Sequence, residues 1–203
     1  MDDQMRFALS DMIACEAAIR KLGEGAGSME EVADRIVRHL YDHLVDPRSG
    51  ERSCILVRFF KTHPFGELDP GLRRIALHIL DRPPESPAMK CLTLLATAGV
   101  RPEWNSRKSS AGHRAIPLPG ALVADRLPML GQLIRQFGLE VGAVLDPDPA
   151  LLLDLEQRTY NVFHVPEASG SPYVPAQGEF VTPFGVRSVL GFGGCCPGGT
   201  STQ

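Results

Sequence analysis

Two apolar runs separated by a helical segment constrain the fold of this chain more than any other feature. Residues 53–60 (SCILVRFF) and 89–98 (MKCLTLLATA) are short and rich in branched or aromatic side chains, as strands are. Between them, Asp69 and Pro70 begin a segment with helical spacing of its apolar residues. Aspartate suits the N-cap and proline the first helical position. Strands that alternate with helices predict an α/β or α+β domain.

The same alternation continues along the chain. Ser28 and Glu31 have the spacing of a capping box, and apolar residues four apart follow on one helical face: Val32, Ile36, Leu40 and Leu44. The remaining predicted elements are helices at 127–137 and 148–158 and strands at 139–145 and 186–192, the last of them buried. The strands lack regular βαβ spacing. A central, mostly antiparallel sheet with packed helices is therefore predicted, and a Rossmann fold is disfavoured.

Composition disfavours several classes of protein. The net charge of −3 argues against a phosphate-binding surface, so we expect no nucleic-acid partner. No apolar run reaches the roughly 18 residues that a membrane span needs, and the acidic start MDDQMRF is unlike a secretory signal. The five cysteines follow neither a disulfide nor a zinc pattern. These observations predict a cytoplasmic protein with reduced thiols and no membrane association.

Residues 1–22 are predicted to form an amphipathic N-terminal helix. Apolar residues alternate spacings of three and four along it: Met5, Ala8, Met12, Cys15, Ile19 and Leu22. Two interpretations remain open. The stripe packs on its own domain, or it joins two copies of the chain in a homodimer.

No complete catalytic motif is present. A nucleophile elbow, a P-loop and paired catalytic carboxylates are all missing from the sequence. The run 191–194 (GFGG) fails the dinucleotide fingerprint and is interpreted as a hairpin turn. His39 and His43 share a helix face but lack a third metal ligand, and Cys54 and Cys91 are typical of small core residues. We therefore expect no metal, and no cofactor can be named.

The segment 99–120 is predicted to be a long polar loop, and it contains the best candidate ligand residues. Trp104, Arg107 and His113 offer an aromatic ring and cationic groups that suit a small anionic or stacked ligand. The alternative is a solvated loop pinned by one tryptophan.

Four segments carry a resemblance to a known family. They are residues 57–64 (VRFFKTHP), 90–97 (KCLTLLAT), 160–173 (YNVFHVPEASGSPY) and 184–194 (FGVRSVLGFGG). Together they resemble the N-terminal sensory region of bacterial histidine kinases and related signalling proteins, which is similar to the GAF fold. The resemblance implies a GAF-like sensory domain over residues 28–194. Phe163 and His164, in the third segment, complete the candidate ligand set.

The function implied by this resemblance is regulatory and not enzymatic. Such a domain senses a small molecule or a partner and controls a C-terminal output such as the histidine kinase of a two-component system. Two alternatives remain open. One is a small-molecule hydrolase or transferase whose activity depends on His113 or His164, and the other is a dimerisation module without a ligand.

The tail at residues 195–203 (CCPGGTSTQ) departs from the resemblance. Similar sequences continue with a Met-Leu-Pro hairpin into another strand. Deletion of one base in the codon of Gly194 converts one permitted coding of that hairpin into this tail, followed by a stop. We therefore interpret 195–203 as a frameshifted tail and expect a truncated domain without its C-terminal strand. A natural glycine-rich tail is the alternative.

Overall fold

The computed structural model describes residues 9–46, 48–80, 84, 86–110, 113–118 and 162–193. They belong to two compact units, Met1–Pro117 and Leu118–Gln203. The first unit contains helices α1 (Leu9–Leu22), α2 (Met29–His43) and α3 (Pro70–Leu80) and strands β1 (Leu56–Pro64), β2 (Lys90–Gly99) and β3 (Ala115–Pro117). The second contains strands β4 (Val162–Val165) and β5 (Val189–Phe192). Both sheets are antiparallel, so the described residues form a mixed α+β structure.

The first unit is built on a sheet with the strand order β1-β2-β3. The pairing of β1 with β2 shifts by one residue between Phe59 and Phe60, so Leu95 is left without an opposite residue as a β-bulge. Leu95 and the next residue, Ala96, both pack in the core beneath α2. The bulge therefore changes the alternation along β2, and Leu94 and Thr97 lie on the opposite side of the sheet.

Helix α2 begins where its cap predicts. Ser28 Oγ accepts a hydrogen bond from the amide of Glu31 at 3.2 Å, and the Glu31 carboxylate accepts one from the amide of Gly27 at 2.9 Å. The buried residues of α2 are Ala33, Val37 and Tyr41. The predicted face of Val32, Ile36, Leu40 and Leu44 is thus wrong by one residue, because the sheet selects the face and four-residue spacing alone does not.

Helix α3 also begins as predicted. Asp69 Oδ1 accepts hydrogen bonds from the amides of Gly71 at 2.8 Å and Leu72 at 3.0 Å. Its Ala76 is fully buried in a core with Leu68, Cys91 and Ala115. Because Cys91 and Ala115 lie on β2 and β3, α3 packs against the sheet beside these strands.

The two faces of the three-stranded sheet carry different side chains. The side packed against α2 and α3, the helix-covered face, carries Val57, Phe59, Ala96, Ala98, Cys91 and Ala115. The other side, which we call the distal face, carries the alternate residues Leu56, Arg58, Phe60, Leu94, Thr97 and Gly99. The polar side chains of the distal face therefore lie on the side of the sheet opposite α2 and α3.

The second unit has a small core of its own. Val165, Ala168, Val174 and Val181 are buried, and the side-chain amide of Gln177 donates to the carbonyl of Ala168 at 2.9 Å and to that of Val174 at 2.6 Å. The prediction that strand 186–192 is buried is wrong. Leu190 is 62% exposed and Phe192 is 68% exposed, since alternate residues of β5 face away from this core.

Segment 99–120 is also more structured than predicted. It includes a 3-10 helix at Pro102–Asn105 and the strand β3, which pairs with β2. A three-residue strand that ends in proline is too short for its periodicity to be recognised. The predicted elements at 127–137, 139–145 and 148–158 and the tail at 195–203 lie outside the described residues.

Candidate ligand-binding site

Trp104 is held against the distal face at the end of β2. The side chain of Asn105 accepts a hydrogen bond from the amide of Gly99 at 3.2 Å and donates to its carbonyl at 2.9 Å. A Cβ atom placed on Gly99 would lie 2.8 Å from Trp104 Cε3. The indole ring therefore fills the space that a side chain at position 99 would occupy, and the guanidinium of Arg101 lies 5.6 Å from the ring centroid.

Arg58 lies on the same face of the sheet, on the neighbouring strand β1. It stands opposite Thr97 in the register of β1 and β2, two residues from Gly99. Its guanidinium donates to Ser110 Oγ at 3.1 Å, and Ser110 is only 2% exposed. The second nitrogen, Arg58 Nε, is buried and has no hydrogen-bond partner. Burial lowers the pKa of Arg58 from its ordinary value, although a guanidinium stays charged at neutral pH.

Thr97 presents a second unpaired polar atom at this place. The residue is 1% exposed, and its Oγ1 is buried without a partner. Most buried hydroxyl groups in proteins are hydrogen-bonded, because an unmade bond costs about 1–3 kcal/mol. Arg58 Nε and Thr97 Oγ1 are two such exceptions, on opposed residues of neighbouring strands.

The chain returns to this face just before β3. The carbonyl of Arg114 accepts a hydrogen bond from the amide of Leu94 at 3.0 Å, and Arg114 Nε is a third buried polar atom without a partner. His113 has a φ of 50°, a left-handed conformation that is uncommon for a residue other than glycine. Neighbouring atoms that exclude water, and then the charge of Arg58, lower the pKa of His113 below its usual range. At neutral pH its imidazole is therefore uncharged.

Arg107, the other predicted ligand residue of this segment, lies elsewhere. Its guanidinium is 3.8 Å from the carboxylate of Glu30 on α2. On the same helix, Arg38 donates to the carbonyl of Asn105 at 3.3 Å. These contacts attach the segment to α2. The structure thus places Trp104 and His113 near Arg58, whereas Arg107 is engaged by the helix.

Phe163 and His164 lie on β4 in the second unit, where His164 is exposed and opposite Leu190. The side chain of Phe163 lies outside the described part of the chain. The structure therefore gives no basis for joining these two residues to the site on the first unit.

A separate cavity of about 600 Å³ opens beside α2. It is lined by Tyr41, Asp42, Val45, Gly50, Glu51, Arg52, Cys54, Ile55 and Val100. Within it, Arg52 pairs with Asp42 at 2.9 Å and lies 4.9 Å from the centroid of the Tyr41 ring. Because these groups already satisfy one another, the cavity gives a weaker argument for a ligand than the distal face does.

Other reactive groups in the first unit include the thiols of Cys54 and Cys91 and the histidine pair of α2. Burial raises the pKa of Cys54, and it raises that of Cys91 to about 11, so both thiols are protonated at neutral pH. The rings of His39 and His43 stack with centroids 4.2 Å apart. Within the residues that the structure describes, no three or more potential metal ligands converge.

Comparisons with protein-family models, curated proteins and solved structures give no match to this chain. In the described part of the chain, no helix has both the length and the apolar character needed to cross a membrane.

Sequence reasoning did not select the residues with the buried polar atoms, Arg58, Thr97, Ser110 and Arg114, as ligand residues, although Ser110 and Arg114 lie in the candidate segment 99–120. A signal for two of them was present. Arg58 interrupts the apolar run 53–60, and Thr97 stands near the end of the run 89–98. A polar residue inside a strand that is otherwise apolar marks a face with a separate role.

Proposed function

We propose that this chain is a GAF-like sensory domain of a bacterial signal-transduction protein. It binds a small molecule on the distal face of its sheet and controls a C-terminal output such as a histidine kinase. The observation that carries this proposal is the pair of buried, unpartnered polar atoms, Arg58 Nε and Thr97 Oγ1, on opposed residues of neighbouring strands. The resemblance of segments 57–64 and 90–97 to sensory regions supports it, since these segments form much of β1 and β2.

The position of Trp104 supports the same function. Its half-buried ring packs on Gly99, two residues from Thr97, and the charge of Arg58 acts on His113. Pockets for small molecules combine aromatic walls with a few convergent polar groups. The lowered pKa of His113 keeps its imidazole uncharged and able to accept a hydrogen bond at neutral pH. Thr93 Oγ1 lies 2.6 Å from His63 Nδ1, but Thr93 is only 2% exposed and its hydroxyl donates to the carbonyl of Lys61 at 2.9 Å, so we propose binding and signalling in the cytoplasm and not catalysis.

Native mass spectrometry of the purified 203-residue chain tests this function. We expect a co-purifying metabolite, and its addition to ligand-free protein should change the fluorescence of Trp104, the only tryptophan. Trp104→Ala should weaken calorimetric affinity for that metabolite by about tenfold, since an aromatic contact is worth about 1–3 kcal/mol. Arg107→Ala is the comparison variant. Because Arg107 pairs with Glu30 on α2, we expect this change to reduce the affinity for the metabolite less than Trp104→Ala does. Unchanged affinity in both variants would contradict the placement of the ligand.

A second candidate function, dimerisation through α1, is favoured by one observation. Met12 is 52% exposed and Ile13 is 58% exposed, whereas Ile19 and Leu22 are half-buried nearer α2. Met12, which belongs to the stripe, and its neighbour Ile13 suit a homodimer contact, because exposed apolar side chains on a helix can pair with those of a second helix.

Met12→Glu is therefore expected to convert a dimer to a monomer in analytical ultracentrifugation while circular dichroism stays unchanged. A buried charge at a helix–helix contact would oppose association strongly. Met12→Leu is the matched control and should remain dimeric. Ile19→Glu tests the alternative, since loss of folding there would show that this half of the stripe packs within its own domain. A monomeric wild-type chain would refute the dimer.

A further inference from the structure

We propose that the distal face recognises its ligand through an anionic oxygen group, a carboxylate or a phosphate, held by Thr97 Oγ1 and the guanidinium groups of Arg58 and Arg114. This inference rests on the proposed small-molecule binding function and adds the chemical class of the ligand. None of these three residues belongs to the set that the sequence predicted.

The first step of the argument is the chemistry of the unpaired atoms. Arg58 Nε and Arg114 Nε are hydrogen-bond donors only, and the Thr97 hydroxyl can donate as well. All three atoms are buried without a partner. A ligand that satisfies these atoms must present hydrogen-bond acceptors. Arg58 and Thr97 are opposed residues of neighbouring strands, so one ligand oxygen can accept hydrogen bonds from both.

The second step is charge. Among the described residues, neither Arg58 nor Arg114 forms an ion pair, whereas Arg20, Arg35, Arg38, Arg52, Arg101 and Arg107 each do. Other described arginines without an ion pair, such as Arg74 and Arg187, are exposed, whereas Arg58 and Arg114 each carry a buried nitrogen atom without a partner. A partly buried positive charge without a counter-ion is costly, so an anion stabilises this arrangement more than a neutral ligand does.

The third step is placement. Residue 114 precedes β3 and its carbonyl bonds to Leu94, so Arg114 stands across β2 from the strand that carries Arg58. Ala115 packs in the helix-covered core, and strand alternation therefore directs Arg114 to the distal face. Ser110 holds one nitrogen of Arg58 at 3.1 Å and leaves Nε for the ligand, which makes Ser110 a positioning residue.

Carboxylates and phosphates share the feature that this site requires. Each carries two or more oxygens that accept from a guanidinium fork, and charge-assisted hydrogen bonds of this kind are about twice as strong as neutral ones. Because carboxylates and phosphates are both anions, the charge of the site does not distinguish them. The experiment below compares one probe of each kind.

The test uses the full chain freed of any co-purified metabolite. Inorganic phosphate and succinate serve as anionic probes, glycerol is the neutral probe, and sodium chloride at equal ionic strength is the reference. We expect a rise in melting temperature with phosphate or succinate above that in sodium chloride, and none with glycerol. A response to phosphate alone assigns a phosphate ligand, and a response to succinate alone assigns a carboxylate.

Three variants show whether this response belongs to the site. Thr97→Val and Arg58→Lys should each raise the dissociation constant of the effective probe about tenfold or more. This is the effect of losing one hydrogen bond to a charged group. Arg58→Lys retains the positive charge and removes Nε. Arg20→Gln, an exposed arginine paired with Glu16, is the control and should bind as the wild type does. Thr97→Val removes a hydroxyl without a partner, so the variant is expected to fold.

The outcomes separate this inference from the proposed function. A co-purified neutral metabolite, or anion binding that survives both Thr97→Val and Arg58→Lys, overturns the anion site and leaves sensing in place. Equal melting temperatures in phosphate, succinate and sodium chloride, together with no co-purified metabolite, overturn both.

Discussion

Gly99→Ala is expected to lower the free energy of unfolding by about 1–3 kcal/mol, the usual cost of adding a methyl group to a filled space. The new Cβ would lie 2.8 Å from Trp104 Cε3 and 3.0 Å from the carbonyl oxygen of Ile55. The indole ring can shift, but the carbonyl belongs to the backbone and is held by a hydrogen bond from Val100 at 3.1 Å. Urea denaturation measures the loss, and the emission spectrum of Trp104 reports the displaced ring.

Gly23→Ala is the matched control for this prediction. A Cβ at Gly23 would meet no atom within 4 Å, and the residue lies in the turn after α1. Its stability and its tryptophan emission should match those of the wild type. Equal stability of the Gly99→Ala and Gly23→Ala variants would show that Trp104 does not pack on Gly99, and the location of the ligand site would then be wrong.

Leu95→Ala is expected to destabilise the chain by about 2–5 kcal/mol, the range measured when a buried leucine is truncated. Leu95 is 4% exposed and packs in the core beneath α2 with Val37 and Tyr41. The loss combines the transfer of the removed methyl groups with the cavity left behind. Thermal and urea unfolding measure the difference.

Leu77→Ala is its control. Leu77 lies on α3 and is 38% exposed, so its truncation should change stability by no more than about 0.5 kcal/mol. If the two leucine variants lose similar stability, the packing of α2 on the bulged strand is not as described. Because the same bulge directs Thr97 to the distal face, that result would also weaken the ligand site.

The proposed distal-face site involves no recognisable binding motif. Its polar atoms come from two strands and from the segments that follow β2, and each is isolated among apolar or ordinary loop residues in the sequence. Motif searches depend on close spacing, whereas strand pairing brings Arg58 to Thr97 across the intervening helix α3.

Local features of the fold followed from the sequence because they depend on neighbouring residues. Ser28 and Asp69 cap helices α2 and α3 as their positions predict, since a cap satisfies amides only two or three residues away. The apolar runs 53–60 and 89–98 overlap strands β1 and β2, because branched and aromatic side chains suit a pleated sheet. The coarse α+β class follows from the order of these elements.

The tertiary structure alone decided which side chains meet. The bulge at Leu95 reverses the alternation of β2, so no count of residues along the strand places Thr97 on the distal face beside Arg58. The buried face of α2 is centred on Val37, one residue from the predicted position, because the sheet determines which helical face loses water. Trp104 is predicted as a ligand residue from its residue type. Its packing on Gly99 depends on the hydrogen bonds between Asn105 and Gly99, which the sequence does not reveal. Register and burial are set by contacts between distant parts of the chain, and local sequence does not encode them.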